Sequence, residues 1–375
     1  MRVVVLGGGV IGEAVAWDLT HIAPSADVTV VDWDAARLDR IARGLRVATR
    51  RVDLRDPESI TSTVGSADVS VGALPSTLAR PVIEHIAHLG GRHVDVSFLA
   101  EDPRTSHDTA RASGAVIVYD CGVAPGLSHV LVGHALRAIA SGARVRIDVG
   151  GLPRDPQPPF FYKAPFAAAD VMEEYTRPAR LVRNGRIISL PALSEPATVT
   201  VPGVGALEAF NTDGLRSLVD TAGAESMVER TLRYPGHLAA IRTLMDAGFF
   251  DATPIRVDGV TVSPRQVASA LLFPRWQYAP DERDLTVLLV EAEGFDVDGR
   301  LVRQGWSLVD RPDRGSALSS MARTTGCPAA IVARWLAEGS FRTPGVHPPE
   351  RLGLDGRAQG MLAALAARGI RVQPV

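Results

Sequence analysis

Cysteine is nearly absent. The chain carries two, Cys121 and Cys327, too few and too far apart for a disulfide framework or a zinc site, and no metal centre is expected. Net charge is nearly absent too, at −2, and no long basic block occurs. Nucleic-acid-binding domains are usually basic, so nucleic acid is excluded as a partner. No apolar run approaches the ~20 residues that span a bilayer. The N-terminus enters a strand at once, without the basic-then-apolar opening of a signal peptide. These absences predict a cytoplasmic protein with no membrane partner. Internal repeats and low-complexity tails are lacking as well. What remains, 46% apolar and 22% charged residues over 375 positions, is ordinary for a globular enzyme of roughly one to three domains.

The richest stretch is the first. Residues 3–6 are a short apolar run, long enough for one buried strand. Gly7, Gly9 and Gly12 follow at G-x-G-x-x-G spacing, and from Val10 apolar residues (Ile11, Val15, Leu19) recur at helical spacing. A second apolar run, 28–31, ends in Asp32. In such a strand–turn–helix–strand unit Gly7 permits the tight turn, Gly9 keeps side chains off a pyrophosphate, and Gly12 lets helix and strand lie close. The free amides of the first helical turn, around Val10 and Ile11, face the phosphates. Asp32, 20 residues after Gly12, is placed to take both ribose hydroxyls. A carboxylate there repels a 2′-phosphate, and Trp33 rather than a cation follows it, so the expected cofactor is NAD.

Beyond Asp32, helices are predicted over 35–43, from Pro57, and over 78–89 and 101–113. Strands are predicted over 45–52, 67–71, 93–96 and 115–119. Alternation over about 120 residues predicts an α/β Rossmann domain with a doubly wound parallel sheet. In such sheets ligands bind along the carboxyl edge of the strands. That edge adds Ala73, Leu74, Pro75, Val96 and Gly122 to the cofactor-binding candidates. Asp53, ending the third strand, either touches the adenine or caps the helix beginning at Pro57. The sixth strand runs into Asp120-Cys121-Gly122-Val123-Ala124-Pro125-Gly126, a structured turn followed by a helix over 127–141. From Arg144 proline and glycine become frequent. Short strands are predicted over 144–149, 180–182, 187–190, 198–201, 206–210, 255–257, 285–292 and 301–308, with helices over 236–247 and 264–272. That density predicts a second, α+β domain with a mixed or antiparallel sheet. Helices return over 316–324, 328–338 and 356–368.

Several pieces, in order, resemble the saccharopine dehydrogenase superfamily, and within it most of all the NAD-dependent L-lysine 6-dehydrogenase branch. They are Ala73-Leu74-Pro75, Asp95-Val96-Ser97-Phe98, the 120–126 turn, Gly150-Gly151-Leu152-Pro153, Phe210-Asn211-Thr212-Asp213-Gly214-Leu215 and Thr231-Leu232-Arg233-Tyr234-Pro235-Gly236-His237. The resemblance implies a Rossmann domain over 1–125, completed by C-terminal helices from 316–375, and a substrate-binding, dimerising domain over 126–315. A homodimer or higher homo-oligomer is expected. Two departures stand out. Saccharopine-handling members typically have an arginine, which helps hold an extra carboxylate, where this chain has Thr212. The lysine branch often has an aromatic residue where this chain has Asn211.

The resemblance implies NAD-dependent oxidative deamination of the terminal amine of L-lysine. Hydride leaves the amine-bearing carbon, water releases ammonia from the imine, and the 6-semialdehyde closes on its α-amine as piperideine-6-carboxylate. The amine must first lose a proton. With a pKa of about 10.4 the deficit at pH 7 is about 3.4 units, roughly 4.6 kcal/mol, so a base and an alkaline optimum are expected. Asp95, Asp102 and Asp120 are the candidates, each equally readable as a helix cap or a loop ion pair. The amino acid's carboxylate needs a cation, with Arg233 and Lys163 leading and Arg180 and Arg177 behind. Tyr162, Tyr175, Asn211, Thr212, Asp213 and His237 complete the substrate candidates; the tyrosines and histidine serve equally as core. Alternatives are a saccharopine-type dehydrogenase or reductase, a dehydrogenase of a modified lysine, and a catalytically inactive NAD-binding regulatory protein.

Overall fold

The computed structural model describes every residue except 165–167, 280 and 314, and for 168 and 169 the backbone alone. The chain divides into two compact units, Met1–Arg137 with Ala322–Ile370, and Ala138–Met321 with Arg371–Val375.

The first unit is built on a seven-stranded parallel sheet. Its strands are β1 (Arg2–Leu6), β2 (Asp27–Asp32), β3 (Ala48–Arg51), β4 (Val69–Gly72), β5 (Arg92–Asp95), β6 (Val116–Val118) and, from the C-terminal part of the chain, Gly345–His347. In space they run Gly345–His347, β6, β5, β4, β1, β2, β3, with every ladder parallel. Val5, Leu6, Val30, Val31, Val71 and Val94 are fully buried, as expected of the central strands of a parallel sheet covered on both faces. Each such side chain contributes about 1.5–3 kcal/mol through burial. Local chemistry sets the helix starts. Asp34 and Asp56 accept first-turn amide hydrogen bonds, and Pro57 opens its helix. Over 101–113 the predicted single helix is a 3-10 turn, Pro103–Ser106, capped by Asp102, and then the helix His107–Ser113. The helix predicted over 127–141 spans Leu127–Leu136 and packs on Glu350–Leu354, so it lies in the first unit. The two helices expected at 316–324 and 328–338 are one, Ser320–Ala337, running through Pro328. Burial of Ala329, Ala330, Val332, Ala333 and Leu336 outweighs the amide bond the proline forgoes.

The second unit carries a nine-stranded mixed sheet. Its main path runs Ala197–Val201, Gly205–Asn211, Ser226–Arg233, Ser141–Pro153, Asp284–Phe295, Leu301–Asp310 and Gln373–Pro374. Ala179–Arg183 also pairs with Ser226–Arg233 and, on its other side, with Arg186–Leu190. Ser226–Arg233 and Ser141–Pro153 are parallel, and the other ladders are antiparallel. Ser226–Arg233, near the middle of this sheet, is a strand the sequence pattern did not predict. An apolar cluster of Tyr162, Val171, Met172, Tyr175, Phe210 and Trp276 packs in this unit.

Candidate functional site

In the first unit the residues after β1, β4, β5 and β6 stand side by side along the carboxyl edge, because the strands are parallel and in register. Gly7 has φ +104°, and a Cβ there would strike the Ala73 carbonyl. A Cβ on Gly12 would strike the Gly7 carbonyl, whereas Gly9 has no atom within 4 Å of the place its Cβ would take. Two glycines therefore close the turn, and the third leaves open room over the start of the Val10–Ile22 helix. No side chain caps that helix, so its first amides are available to phosphate oxygens. Around the turn, Ala73 N donates to Leu6 O (2.8 Å), Val96 N to Gly72 O (3.0 Å) and Gly122 N to Pro125 O (3.1 Å). These hold the Ala73-Leu74-Pro75, Val96 and Gly122 segments in place. The residues fit a dinucleotide.

Asp32, buried at the end of β2, accepts from Gly8 N (2.7 Å) and Asp34 N (2.9 Å). The Arg37 Nη1 lies 3.7 Å from it, and Trp33 is exposed beside it. Asp53 is exposed and bound to Arg55; those hydrogen bonds lower its carboxyl to about 2.

The three candidate bases differ in setting. Asp95 is fully buried, with Oδ1 accepting from Ser97 N (2.7 Å) and Oδ2 3.5 Å from His93 Nε2. Asp120 is buried at the end of β6, in a left-handed conformation (φ 51°). Asp102 is exposed, accepts from Arg104 N (2.9 Å) and pairs with the Arg104 guanidinium (2.7 Å), so its carboxylate serves as a cap. Burial pushes the Cys121 thiol up, which leaves it inert.

In the second unit, Glu229, Thr231 and Arg233 alternate along one strand and all point inward. Arg233 donates through Nη2 to Glu174 (3.0 and 3.3 Å) and through Nε to Tyr175 Oη (3.2 Å), and its guanidinium stacks 4.5 Å over the Tyr162 ring. Tyr175 Oη lies 2.8 Å from His237 Nε2, and His237 Nδ1 lies 2.8 Å from Phe160 O. A carbonyl only accepts, so Nδ1 carries the proton and Nε2 accepts from Tyr175. Burial and the nearby Arg233 charge lower His237 to about 3, keeping it neutral. Thr212 joins the same network through Glu229 and Thr231. Tyr162 Oη, Trp276 Nε1 and Tyr278 Oη are buried donors with no hydrogen-bond partner among the described residues. Each such group costs about 1–3 kcal/mol if left unmet, which marks this cluster as a place for a polar ligand.

The network thus brings together Tyr162, Tyr175, Thr212, Arg233 and His237. The remaining substrate candidates have partners elsewhere. Lys163 donates to Gln277 O (2.9 Å) and pairs with Glu282 (3.1 Å). Arg180 pairs with Asp213 (2.8 Å), and Asn211 donates to Ser194 and Glu195. Glu174, Glu229, Trp276 and Tyr278 escaped the sequence reading, and Thr231 entered it only as part of the 231–237 motif. The one available signal was the i, i+2, i+4 spacing of Glu229, Thr231 and Arg233.

Comparison with known proteins gives two family matches. Residues 3–118 match the saccharopine dehydrogenase NADP binding domain, and residues 122–370 match the saccharopine dehydrogenase C-terminal domain. Similar proteins include the saccharopine dehydrogenases [NADP(+), L-glutamate-forming] of Schizosaccharomyces pombe (22% identical, covering 86% of this chain and 87% of that one) and Saccharomyces cerevisiae (22%, 93% and 93%). The α-aminoadipic semialdehyde synthase of Arabidopsis thaliana is 24% identical over 80% of this chain and 36% of its own length. The apo histidine-tagged saccharopine dehydrogenase (L-Glu forming) structure from Saccharomyces cerevisiae shares the fold, with TM-score 0.79 and 20% identity over 100% of this chain and 99% of that one.

Proposed function

The chain belongs to the saccharopine dehydrogenase family, with a nicotinamide-dinucleotide-binding domain over residues 3–118, and from that premise we propose that it is an NAD-dependent L-lysine 6-dehydrogenase. It removes the terminal amine of L-lysine as ammonia and leaves the 6-semialdehyde, which cyclises to piperideine-6-carboxylate. One observation carries the choice of substrate. At Thr212, where an arginine would serve a further carboxylate, a buried hydroxyl is hydrogen-bonded to Glu229 (2.7 Å). The surrounding network holds two carboxyl groups, Glu174 and Glu229, and one guanidinium, Arg233. Such a set suits a diamino monocarboxylic acid better than tricarboxylate saccharopine.

The bound nicotinamide supplies the hydride acceptor. The protein's part is to bind, orient and move a proton. Gly9 and the first amides of the Val10–Ile22 helix take the pyrophosphate, and Asp32 takes the ribose hydroxyls. Arg233 and the donors of Tyr162, Trp276 and Tyr278, without partners among the described residues, take the substrate's carboxylate. In the first unit the buried strand-end carboxylates Asp95 and Asp120 are the candidates for the base. The protein works in the cytoplasm as a homodimer or larger homo-oligomer, and sedimentation tests the assembly.

Asp32 supports NAD. The second reading, NADP, draws on Arg37 beside that carboxylate and on the cofactor named for the relatives. The test is NAD(P)H formation at pH 9–10 with each cofactor and a panel of L-lysine, ornithine, other diamino acids and saccharopine. Turnover of L-lysine with NAD, and none of saccharopine, is expected. Turnover of saccharopine alone overturns the reading.

A further inference from the structure

Three close oxygen pairs link two carboxyl groups through two hydroxyls. Glu229 Oε2 lies 2.7 Å from Thr212 Oγ1, Thr212 Oγ1 lies 2.9 Å from Thr231 Oγ1, and Thr231 Oγ1 lies 2.8 Å from Glu174 Oε1. Each hydrogen bond needs one proton between its oxygens. Two threonine hydroxyls supply two, and ionised carboxylates supply none. The third proton therefore sits on a carboxyl. Glu174 forms an ion pair with the Arg233 guanidinium at 3.0 Å. Among the described residues Glu229 has no ion-pair partner, and it is buried. From these counts we infer that Glu229 carries the extra proton and is a positioning residue, fixing Glu174 and, through it, Arg233.

The chain then has one direction: Glu229 donates to Thr212, Thr212 to Thr231, and Thr231 to Glu174. Glu229 Oε2, as a hydroxyl, still accepts from Gly214 N (3.1 Å). Gly214 is small for a reason, since a Cβ there would overlap the Glu229 carboxyl. The carboxyl groups facing Glu229 favour a neutral side chain. The helix Ala168–Thr176 presents Glu174, and the parallel strand Ser141–Pro153 presents Asp148, itself paired with Arg230 (2.6 Å) and Arg146 (3.3 Å). Its own strand adds Thr231 and Arg233. Burial pushes the carboxyl up to about 8, the Glu174 and Asp148 charges push the same way, and the hydrogen bonds with Thr212 and Gly214 N pull it back in part. Once the proton is lost, two protons serve three links, one link fails, and a second negative charge draws on Arg233.

The consequence for binding rests on the reading that Arg233 holds the substrate's carboxylate. KM for the amino acid then rises about tenfold between pH 7 and 9.5, while kcat climbs as the amine deprotonates. The test is Glu229→Gln, which cannot titrate; its amide N–H donates to Thr212, and Gly214 N loses its acceptor at that atom at every pH alike. The wild-type fold holds a proton that the unfolded chain releases. Its stability relative to Glu229→Gln therefore declines from pH 4.5 to 8 and levels off above. Thermal melts of both proteins read this directly, and a difference constant from pH 5 to 9 overturns the inference. Infrared spectra of the wild type from pH 6 to 10 need no variant. A neutral-carboxyl band lost near pH 8, and missing from Glu229→Gln where that variant folds, is expected; no such band overturns it. A protein that turns over no amine defeats the lysine reading, yet the melts and spectra still decide the proton. A KM equally flat in both proteins, with the proton present, defeats the link to Arg233.

Discussion

The two units build their polar sites from different material. The dinucleotide cradle of the first is made of backbone, with three glycines and a bare helix start, all within residues 7–12. The polar network of the second is made of side chains from positions 174, 175, 212, 229, 231, 233 and 237, brought together by one strand, the residue after another, and two helices. A backbone site needs only small residues at fixed spacing, so it tolerates change around it. A side-chain site buried to this depth needs every partner, because each lost member strands a charge or a donor.

The largest effect is accordingly expected at Arg233. Replacing it with alanine leaves the Glu174 carboxylate and the Tyr175 hydroxyl without their shared partner. Breaking a buried pair in this way costs about 3–5 kcal/mol. A thermal melt reads the loss, and fluorescence titration of NADH reads the other half of the comparison, with cofactor affinity staying within about twofold because the cradle is backbone. A melt that hardly moves would show that the network bears little on the fold.

Next in size is a pair within the cradle. Gly12→Ala forces a Cβ into the Gly7 carbonyl. Overpacking against a fixed backbone costs about 1–3 kcal/mol, and NADH affinity falls with it. Gly9→Ala meets nothing in the protein, so the melt is unchanged while NADH binds at least about tenfold more weakly. If both variants lose stability and affinity together, Gly9 is a structural glycine and not the place of the pyrophosphate.

The same division explains what the sequence disclosed. β1, β2, β4 and β6 are largely apolar, with a glycine or an aspartate at or shortly after the end of each, and parallel strands covered on both faces tend to look that way. The cradle followed from spacing alone. Ser226–Arg233 escaped because its inward positions are Met227, Glu229, Thr231 and Arg233, so the apolar alternation that marks a strand is replaced by polar residues. Those same residues carry the network, and hiding the strand hid the site. Arg233 and His237 were found through a family motif, whereas Glu174 and Glu229 fall outside the motifs that were compared, and only the fold joins them. Glu174 also needs the helix Ala168–Thr176, which went unpredicted between proline-rich stretches.

The smallest effect separates the exposed carboxylate from the buried ones. Asp102 accepts the Arg104 amide and pairs with its guanidinium at the surface. Asparagine caps nearly as well, so Asp102→Asn should shift stability by about 0.5 kcal/mol or less and leave the pH–rate profile from 7 to 10 in place. Asp120→Asn changes a buried carboxylate at the end of β6, and there the rate at pH 7–8 should fall by about 10²-fold or more, the usual share of a general base. In the proposed reaction the free amine is the reacting form, so that deficit should narrow as pH rises toward 10 and the solvent takes over the deprotonation. An Asp120→Asn deficit equal at every pH would mean that the carboxylate orients and does not accept the proton. A lost alkaline limb in Asp102→Asn would place the acceptor at the surface turn instead, and the contrast between buried and exposed acids would fail with it.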